Sequence, residues 1–210
     1  MAGRHVARGA ITGDGSRPMP PSDRRLARGE HTRGTVVEAV VELINAGNPR
    51  PSVRQVAERA GISVSQIYYH FGYVEVLVIK AAAMQVSRHC LVVAVIPPRG
   101  PVDVRIRATC HQRRQLLETV APVLRVAYSR GPGSPRLDDV LAEQRALLRR
   151  QVAATFGPEL SSRGPHGGLL LEALDLATGW QTWDALRLHG GHSASGAEKV
   201  MVYSVTGLLH

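Results

Sequence analysis

The segment from residue 63 to residue 71 carries many of the side chains that could recognise a partner. It combines hydroxyl, amide, phenol and imidazole groups, which donate and accept hydrogen bonds. Those polar groups belong to Ser63, Ser65, Gln66, Tyr68, Tyr69 and His70. Only Ile67 and Phe71 offer a core for a helix here, so Val64 and the polar residues are predicted to face outward. The chemistry available is recognition through hydrogen bonds and aromatic contacts.

Catalytic and metal-binding motifs are lacking in the sequence. It contains no G-x-S-x-G elbow, no P-loop and no H-E-x-x-H motif. Two adjacent pairs, His89-Cys90 and Cys110-His111, could be considered as metal ligands. Neighbouring residues of a helix point about 100° apart, so one pair rarely supplies two ligands to one ion. Buried packing explains the cysteines better. We therefore predict no enzymatic activity, no metal and no cofactor.

Two consecutive helix starts position the recognition side chains. Ser52 with Gln55, and Ser63 with Gln66, each match the capping box that satisfies free amide groups at a helix N-terminus. Gly61 between them supplies the left-handed residue that ends a helix. A helix, a tight turn and a second helix facing outward form the geometry that places a recognition helix in the major groove of DNA. An ordinary pair of helices with a solvated outer face matches the same pattern.

The segment from residue 32 to residue 91 resembles the DNA-binding domain of TetR-type bacterial repressors. The resemblance rests on a first helix over 36–46 and then on Val53-Arg54-Gln55-Val56-Ala57, Ala60-Gly61-Ile62-Ser63 and Ile67-Tyr68-Tyr69-His70-Phe71. Two positions depart from the family. Val74 stands where a phosphate-contacting lysine is usual, and Ser65 stands where many members have glycine.

Contacts to double-stranded DNA are expected from the exposed side of the second helix and from the positions that the resemblance implies. These residues are Arg33, Ser52, Arg54, Ser63, Val64, Ser65, Gln66, Tyr68, Tyr69, His70 and Tyr73.

The predicted fold is all-α and has three parts. Residues 1–31 form a flexible basic arm, residues 32–92 a three-helix helix-turn-helix domain, and residues 93–210 a regulatory and dimerisation domain. The formal net charge is +9, and residues 1–34 hold seven arginines against three acidic residues. Basic arms of this kind can enter a minor groove, although a leader without a role fits equally well. Without a secretory h-region or a long apolar span, the chain is expected to be cytoplasmic and off the membrane.

Helices separated by proline and glycine are predicted for the rest of the chain. Val74, Val76 and Val78 alternate like a strand, but the length of the apolar segment 74–95 favours a helix that ends before Pro97. Further helices are predicted at 102–120, 122–130, 135–156, 168–189 and 194–209, with a loop at 161–168.

Apolar stripes on the last two predicted helices require burial inside the subunit or across a dimer. The family resemblance implies the dimer, because the last two helices of TetR-type repressors pair with their symmetry mates in a four-helix bundle. The expected interface residues are Leu169, Ala173, Leu176, Ala197, Met201, Val205 and Leu208.

A cavity for a small-molecule effector is also implied by the resemblance. Its expected lining residues are Met84, His111, Leu124, Tyr128, Trp180 and Trp183. The arginine-rich segment 105–114 suggests an anionic effector, but solvated helix faces explain it equally well.

The function predicted from these observations is that of a homodimeric transcriptional regulator, most simply a repressor that an effector releases from a palindromic operator. The alternative is a helical ligand-binding protein or enzyme with a vestigial helix-turn-helix. Val74 in place of the usual lysine is the one feature that supports this alternative.

Overall fold

The computed structural model describes residues 21–129 and 135–210, and every regular element in these ranges is helical. This confirms the all-α fold class. Residues 1–20 of the predicted arm lie outside the described residues. The helices are α1 (Pro21–Asn45), α2 (Val53–Ala60), α3 (Val64–Phe71), α4 (Val74–Leu91), α5 (Val102–Ser129), α6 (Pro135–Thr155), α7 (Gly157–Ser162), α8 (Gly167–Ala177), α9 (Trp180–Leu188) and α10 (Ala194–Leu209), with a short 3₁₀ helix, Gly164–His166, before α8.

Helix α1 anchors the N-terminal part of the fold. It packs against α2 and α4, and it buries Val36, Val37, Val40 and Ile44. The helix begins at Pro21, a residue whose fixed φ suits the first turn of a helix. Residues 21–31 are therefore helical, whereas the sequence predicted an irregular arm as far as residue 31.

Helix α5 is the central helix of the C-terminal part and packs against α4, α9 and α10. It continues through Pro122, where the sequence predicted a break. Proline removes one backbone hydrogen bond from a helix interior. The residues around it, Val120, Ala121, Val123 and Leu124, are all buried, and we attribute the continuity of the helix to this packing.

Three other predicted boundaries are also wrong. Helix α4 ends at Leu91 instead of residue 95, and the following segment is held by side chains of α6, with Gln151 Nε2 donating to the Val93 carbonyl at 3.1 Å. The predicted loop 161–168 contains the end of α7 and the 3₁₀ helix. The predicted helix 168–189 is broken before Trp180, where a Cβ on Gly179 would lie 2.9 Å from the Asp175 carbonyl oxygen.

Among the described residues, no helix has the length and apolarity needed to cross a membrane.

Candidate nucleic-acid interface and cavity

The turn between α2 and α3 has the geometry that the sequence predicted. Gly61 adopts φ 67° and ψ 30°, in the left-handed region. The amide of Ile62 donates to the Ala57 carbonyl at 3.1 Å, which closes the last turn of α2. The start of α2 carries the predicted capping box, in which the Ser52 amide donates to Gln55 Oε1 at 2.9 Å.

Helix α3 is anchored to the rest of the domain by two buried side chains, and its N-terminus is capped by its own residues. Ile67 and Phe71 are the buried residues, 1% and 6% exposed. At its N-terminus, the Ser63 amide donates to Gln66 Oε1 at 3.0 Å, and the Gln66 amide donates to Ser63 Oγ at 3.2 Å. The second predicted capping box is therefore present. It occupies the Gln66 oxygen, one of the two groups that a glutamine uses to contact adenine.

The outer side of α3 presents aromatic rings to solvent. Tyr69 is 86% exposed, Tyr68 52%, and Tyr73 just after the helix 75%. Ser63, Ser65 and Gln66 are also exposed. Large exposed aromatic side chains on a short, rigidly held helix are unusual for a solvated surface, because tyrosine is commonly used where a surface meets a partner.

Two residues predicted to face outward are half-buried instead. Val64 packs against the core. The ring of His70 lies edge-on to Tyr69, with 5.1 Å between the ring centroids, and its Nδ1 atom is buried without a hydrogen-bond partner. Both residues lie at the edge of the buried side of α3, so the exposed side is narrower than the sequence suggested.

The remaining predicted DNA contacts lie on α1 and at the start of α2. Ser52, Arg33 and Arg54 are exposed. Arg59, on the same helix as Arg54, is bound to Glu42 of α1 at 3.3 Å. Side chains such as Arg33 and Arg54 suit contacts to phosphates, which position a protein on DNA without reading its sequence.

A partly open cavity of about 240 Å³ lies between α4, α5, α6, α8 and α9, and its wall includes the exposed side chains of Leu176 and Tyr128. Three of the predicted lining residues, Leu124, Tyr128 and Trp180, form part of its wall. The rings of Tyr128 and Trp180 stack, with centroids 6.4 Å apart and planes inclined by 12°. Three predicted residues lie elsewhere. Met84 packs against the core, His111 is exposed beside Glu198 at 3.2 Å, and Trp183 is fully buried.

Six charged or amide-bearing residues of the cavity wall were not among the predicted lining residues. They are Arg113, Gln144, Arg145, Glu172, Asp175 and Gln181. Asp175 is half-buried, and burial raises the pKa of its carboxyl group. Only the richness of segment 105–114 in arginine could have pointed to Arg113, and that pattern does not distinguish it from its neighbours.

The arginines of α5 have different environments. Arg105 is buried and donates from Nη1 to Glu159 Oε2 at 2.9 Å and to the Thr155 carbonyl at 2.8 Å. The hydrogen bonding of Arg105 to the Glu159 carboxylate lowers the pKa of Glu159. Arg114 binds Glu198 at 2.8 Å, and Arg107 is exposed. The sequence left two explanations for this arginine-rich segment, a solvated helix face and a site for an anionic effector. The first fits the exposed Arg107. The second fits Arg113, which is 4% exposed and faces the cavity.

Cys90 and Cys110 are buried free thiols, as the packing explanation predicted. Burial raises the pKa of Cys90 to about 11 and that of Cys110 to about 12. Both thiols are therefore protonated near neutral pH. In the part of the chain that the structure describes, no three histidine, cysteine or acidic side chains cluster as metal ligands would.

The two predicted dimer stripes have opposite orientations. Leu169 and Leu176 of α8 are 68% and 67% exposed, and Ala173 between them is half-buried. On α10, Ala197, Met201 and Val205 are fully buried, and that helix packs on α5 and α8 of the same chain. Leu208 is half-buried against the core. The α10 stripe is therefore internal core, which corrects the sequence prediction.

Comparison with solved structures identifies the fold. A TetR-family transcriptional regulator from Streptomyces coelicolor aligns with a TM-score of 0.67 and 17% identity over 85% of this chain and 79% of that one. A transcriptional regulator from Rhodococcus sp. Rha1 gives 0.62 and 20% identity over 86% and 95%. A protein from Mesorhizobium loti assigned to the TetR family gives 0.61 and 18% identity over 87% and 96%. No family model and no curated protein matches the sequence. The chain has the fold of TetR-family regulators.

Proposed function

We propose that the protein is a transcriptional regulator that binds a palindromic operator as a homodimer and releases it when a small molecule occupies the cavity. The observation that carries this proposal is the exposed side of α3, a rigidly capped helix that holds Tyr68 and Tyr69 in solvent. The shared fold with solved regulators supports the same conclusion. No catalytic role is proposed for any residue.

Reading of DNA is assigned to α3 and its surroundings. Exposed hydroxyl, phenol and amide groups on a helix in the major groove can contact base edges and phosphates. Arg33 and Arg54 would add sequence-independent phosphate contacts. With Val74 in the place of the usual lysine, these two arginines carry more of the backbone contact than they would in a typical family member.

Dimerisation is assigned to the outward side of the C-terminal helices. Leu169, Ala173 and Leu176 recur at intervals of four and three residues, which places them on one side of α8. Tyr203 on α10 and Leu188 on α9 add further exposed apolar surface, at 83% and 55% exposure. An apolar stripe on an exposed helix is typical of a homodimer contact. Two-fold symmetry would present two recognition helices to half-sites about one DNA turn apart.

Coupling between the cavity and α3 is assigned to α4. This helix begins three residues after α3 ends, and Val86 and Cys90 in its last turns line the cavity. Its ion pair from Arg88 to Glu38, 3.2 Å long, ties it to α1. A ligand that shifts α4 would therefore change the spacing of the two recognition helices. Coupling free energies of this kind are about 1–3 kcal/mol.

Selection of bound sequences from random duplex DNA tests the proposal. The recovered sequences should form an inverted repeat, and light scattering should find two chains on each site. Retention on DNA–cellulose near physiological salt separates this function from that of a helical binding protein or enzyme in which the helix-turn-helix has no role. Failure of the full chain both to be retained and to enrich any sequence would refute DNA binding.

A further inference from the structure

The most unusual side chain of the cavity is Arg113. It is 4% exposed, and its Nη2 atom donates to the Leu148 carbonyl at 2.9 Å. Its Nη1 atom is buried without a hydrogen-bond partner, and within the described ranges the side chain forms no ion pair with a carboxylate. Burial disfavours the charged guanidinium and lowers the pKa of Arg113, although the nearby Asp175 carboxylate acts in the opposite direction.

The charged side chains of the cavity wall differ in burial. Arg113 is buried and Asp175 is half-buried, whereas Arg145 and Glu172 are exposed to solvent. Glu172 is bound to Arg149 at 2.9 Å, so it is engaged outside the cavity. Asp175 is therefore the acidic side chain that faces the one buried guanidinium of the cavity, Arg113. With this carboxylate already present, a ligand with one negative charge suits the cavity better than a dianionic phosphate ester.

Apolar side chains and the aromatic pair surround the rest of the space. Leu116, Leu117, Val120 and Leu124 line it along α5. Tyr128 lies fifteen residues beyond Arg113 on the same helix, which is about 22 Å along the axis. The guanidinium and the stacked rings therefore lie toward opposite ends of the cavity. A volume of about 240 Å³ suits a small molecule with a charged head and an apolar body.

We propose that the effector is a small monocarboxylate, whose carboxylate accepts hydrogen bonds from Arg113 and whose apolar or aromatic body packs against Leu116, Leu117 and Val120, on the side of the cavity that leads to Tyr128 and Trp180. This inference rests on the proposed function for its biological meaning, but not for its test. Hydrogen bonds from a guanidinium to a carboxylate are among the strongest in proteins, and they are the contact that the buried Nη1 atom lacks.

Calorimetric titration with 4-phenylbutanoate and its neutral amide, 4-phenylbutanamide, tests the proposal on the DNA-free protein. The two probes match in size and differ in charge. Wild type should bind the acid at least tenfold more tightly. The Arg113→Met variant should lose this preference. The Arg107→Met variant, which removes an exposed arginine from the same helix, should keep it.

A second variant, for which tighter binding of the acid is expected, tests the role of Arg113 further. Asp175→Asn removes the one acidic group of the wall that would compete with the ligand for Arg113, so it should bind the acid severalfold more tightly than wild type. The melting temperature of Arg113→Met should be equal to or above that of wild type, because replacing an uncompensated buried charge by an apolar side chain is often neutral or stabilising.

Equal affinity for acid and amide, binding of neither probe at millimolar concentration, or an unchanged preference in Arg113→Met would each overturn the proposal. The DNA experiments give an independent result. A chain that binds DNA but shows no acid preference refutes the monocarboxylate while the proposed function stands. A chain that prefers the acid but binds no DNA refutes the proposed function and leaves the ligand class intact.

Discussion

Helices α3 and α5 direct their polar side chains into opposite environments. Helix α3 directs polar and aromatic groups outward, where Tyr68 and Tyr69 meet solvent. Helix α5 directs charged groups inward, where Arg105 is bound to Glu159 and to the Thr155 carbonyl. Substitutions on the outer side of α3 should therefore cost binding and little stability, whereas substitutions inside the C-terminal domain should cost stability. Arg113 is the exception, since its buried guanidinium donates to the Leu148 carbonyl but, among the described residues, forms no ion pair with a carboxylate.

The largest effect is expected from charge placed in the core that α10 forms with α5 and α8. Met201 is fully buried, so Met201→Asp removes an apolar side chain and buries an unpaired carboxylate. The free energy of unfolding should fall by about 4 kcal/mol or more. Chemical denaturation followed by circular dichroism measures this loss.

Tyr203→Asp is the matched control, because Tyr203 lies two residues further on α10 and is 83% exposed. This variant should stay folded, and it should weaken the dimer if the outward side of α10 contributes to the contact. If the Met201→Asp protein melts like wild type but sediments as a monomer, Met201 lies in the dimer interface, as predicted from the sequence.

A smaller loss is expected when the ion pair at the start of α5 is broken. Arg105→Met leaves the Glu159 carboxylate with 20% of its side chain exposed and no cation to bind. We expect a loss of about 3 kcal/mol of unfolding free energy. Arg107→Met, on the exposed side of the same helix, should change stability little. Equal stability of the two variants would show that the ion pair between Arg105 and Glu159 contributes no more to stability than the exposed Arg107 does.

The same ion pair predicts a pH dependence of stability. Arg105 lowers the pKa of Glu159 in the folded state. The stability that this carboxylate contributes is thus fully present above its unfolded pKa and is lost as the pH falls through the folded pKa. The stability difference between wild type and Glu159→Gln should therefore narrow as the pH is lowered from about 6 toward 3. A constant difference across this range, measured by denaturation at each pH, would contradict the assignment.

On the outer side of α3, the expected effect is on binding alone. Tyr69→Ala removes a ring that is 86% exposed, so the melting temperature should change little. Operator affinity should fall by about 1–2 kcal/mol, or roughly five- to thirtyfold. Tyr203→Ala removes an equally exposed ring from α10 and should leave affinity unchanged if the dimer persists. Fluorescence anisotropy with a labelled operator compares them. If Tyr69→Ala binds the operator as tightly as wild type, the DNA-binding surface lies elsewhere on the protein.

Local signals predicted the region around α2 and α3 well. Both capping boxes, the left-handed Gly61 and the buried pair Ile67 and Phe71 appear as expected. Each of these features depends on residues within about four positions of one another, so the sequence itself contains the partners. The half-burial of His70 was missed, because it depends on how α3 sits against its neighbours.

Distant partners explain what the sequence could not predict. The stripe on α10 correctly indicated burial, but periodicity does not say whether the same chain or a second one covers it. Arg105 differs from Arg113 because Glu159 lies 54 positions away and reaches only the first. The predicted helix 135–156 ends close to the observed end of α6, but the sequence did not predict α7, which begins at Gly157 with a proline in its first turn.

The smallest effect, and the finest test of the contrast between the two helices, concerns Gln66. Its oxygen accepts from the Ser63 amide at 3.0 Å, so the side chain stabilises its own helix before it meets DNA. Gln55 does the same for α2, accepting from the Ser52 amide at 2.9 Å. Loss of either cap contact should cost about 1 kcal/mol or less of stability. Gln55→Ala is therefore a matched control in which capping is lost on a helix that is not assigned to base reading.

Comparison of Gln66→Ala with Gln55→Ala separates capping from readout. If Gln66 also contacts a base, its variant should lose discrimination at one base pair of the operator by about 1 kcal/mol, the lower end of the usual range, because the cap leaves only the Nε2 atom to donate. Gln55→Ala should lose the same stability and keep its sequence preference. Affinities for single-substitution operators measure both. Equal losses of stability with unchanged preference in both variants would mean that Gln66 only caps, and that discrimination comes from Ser65, Tyr68 and Tyr69.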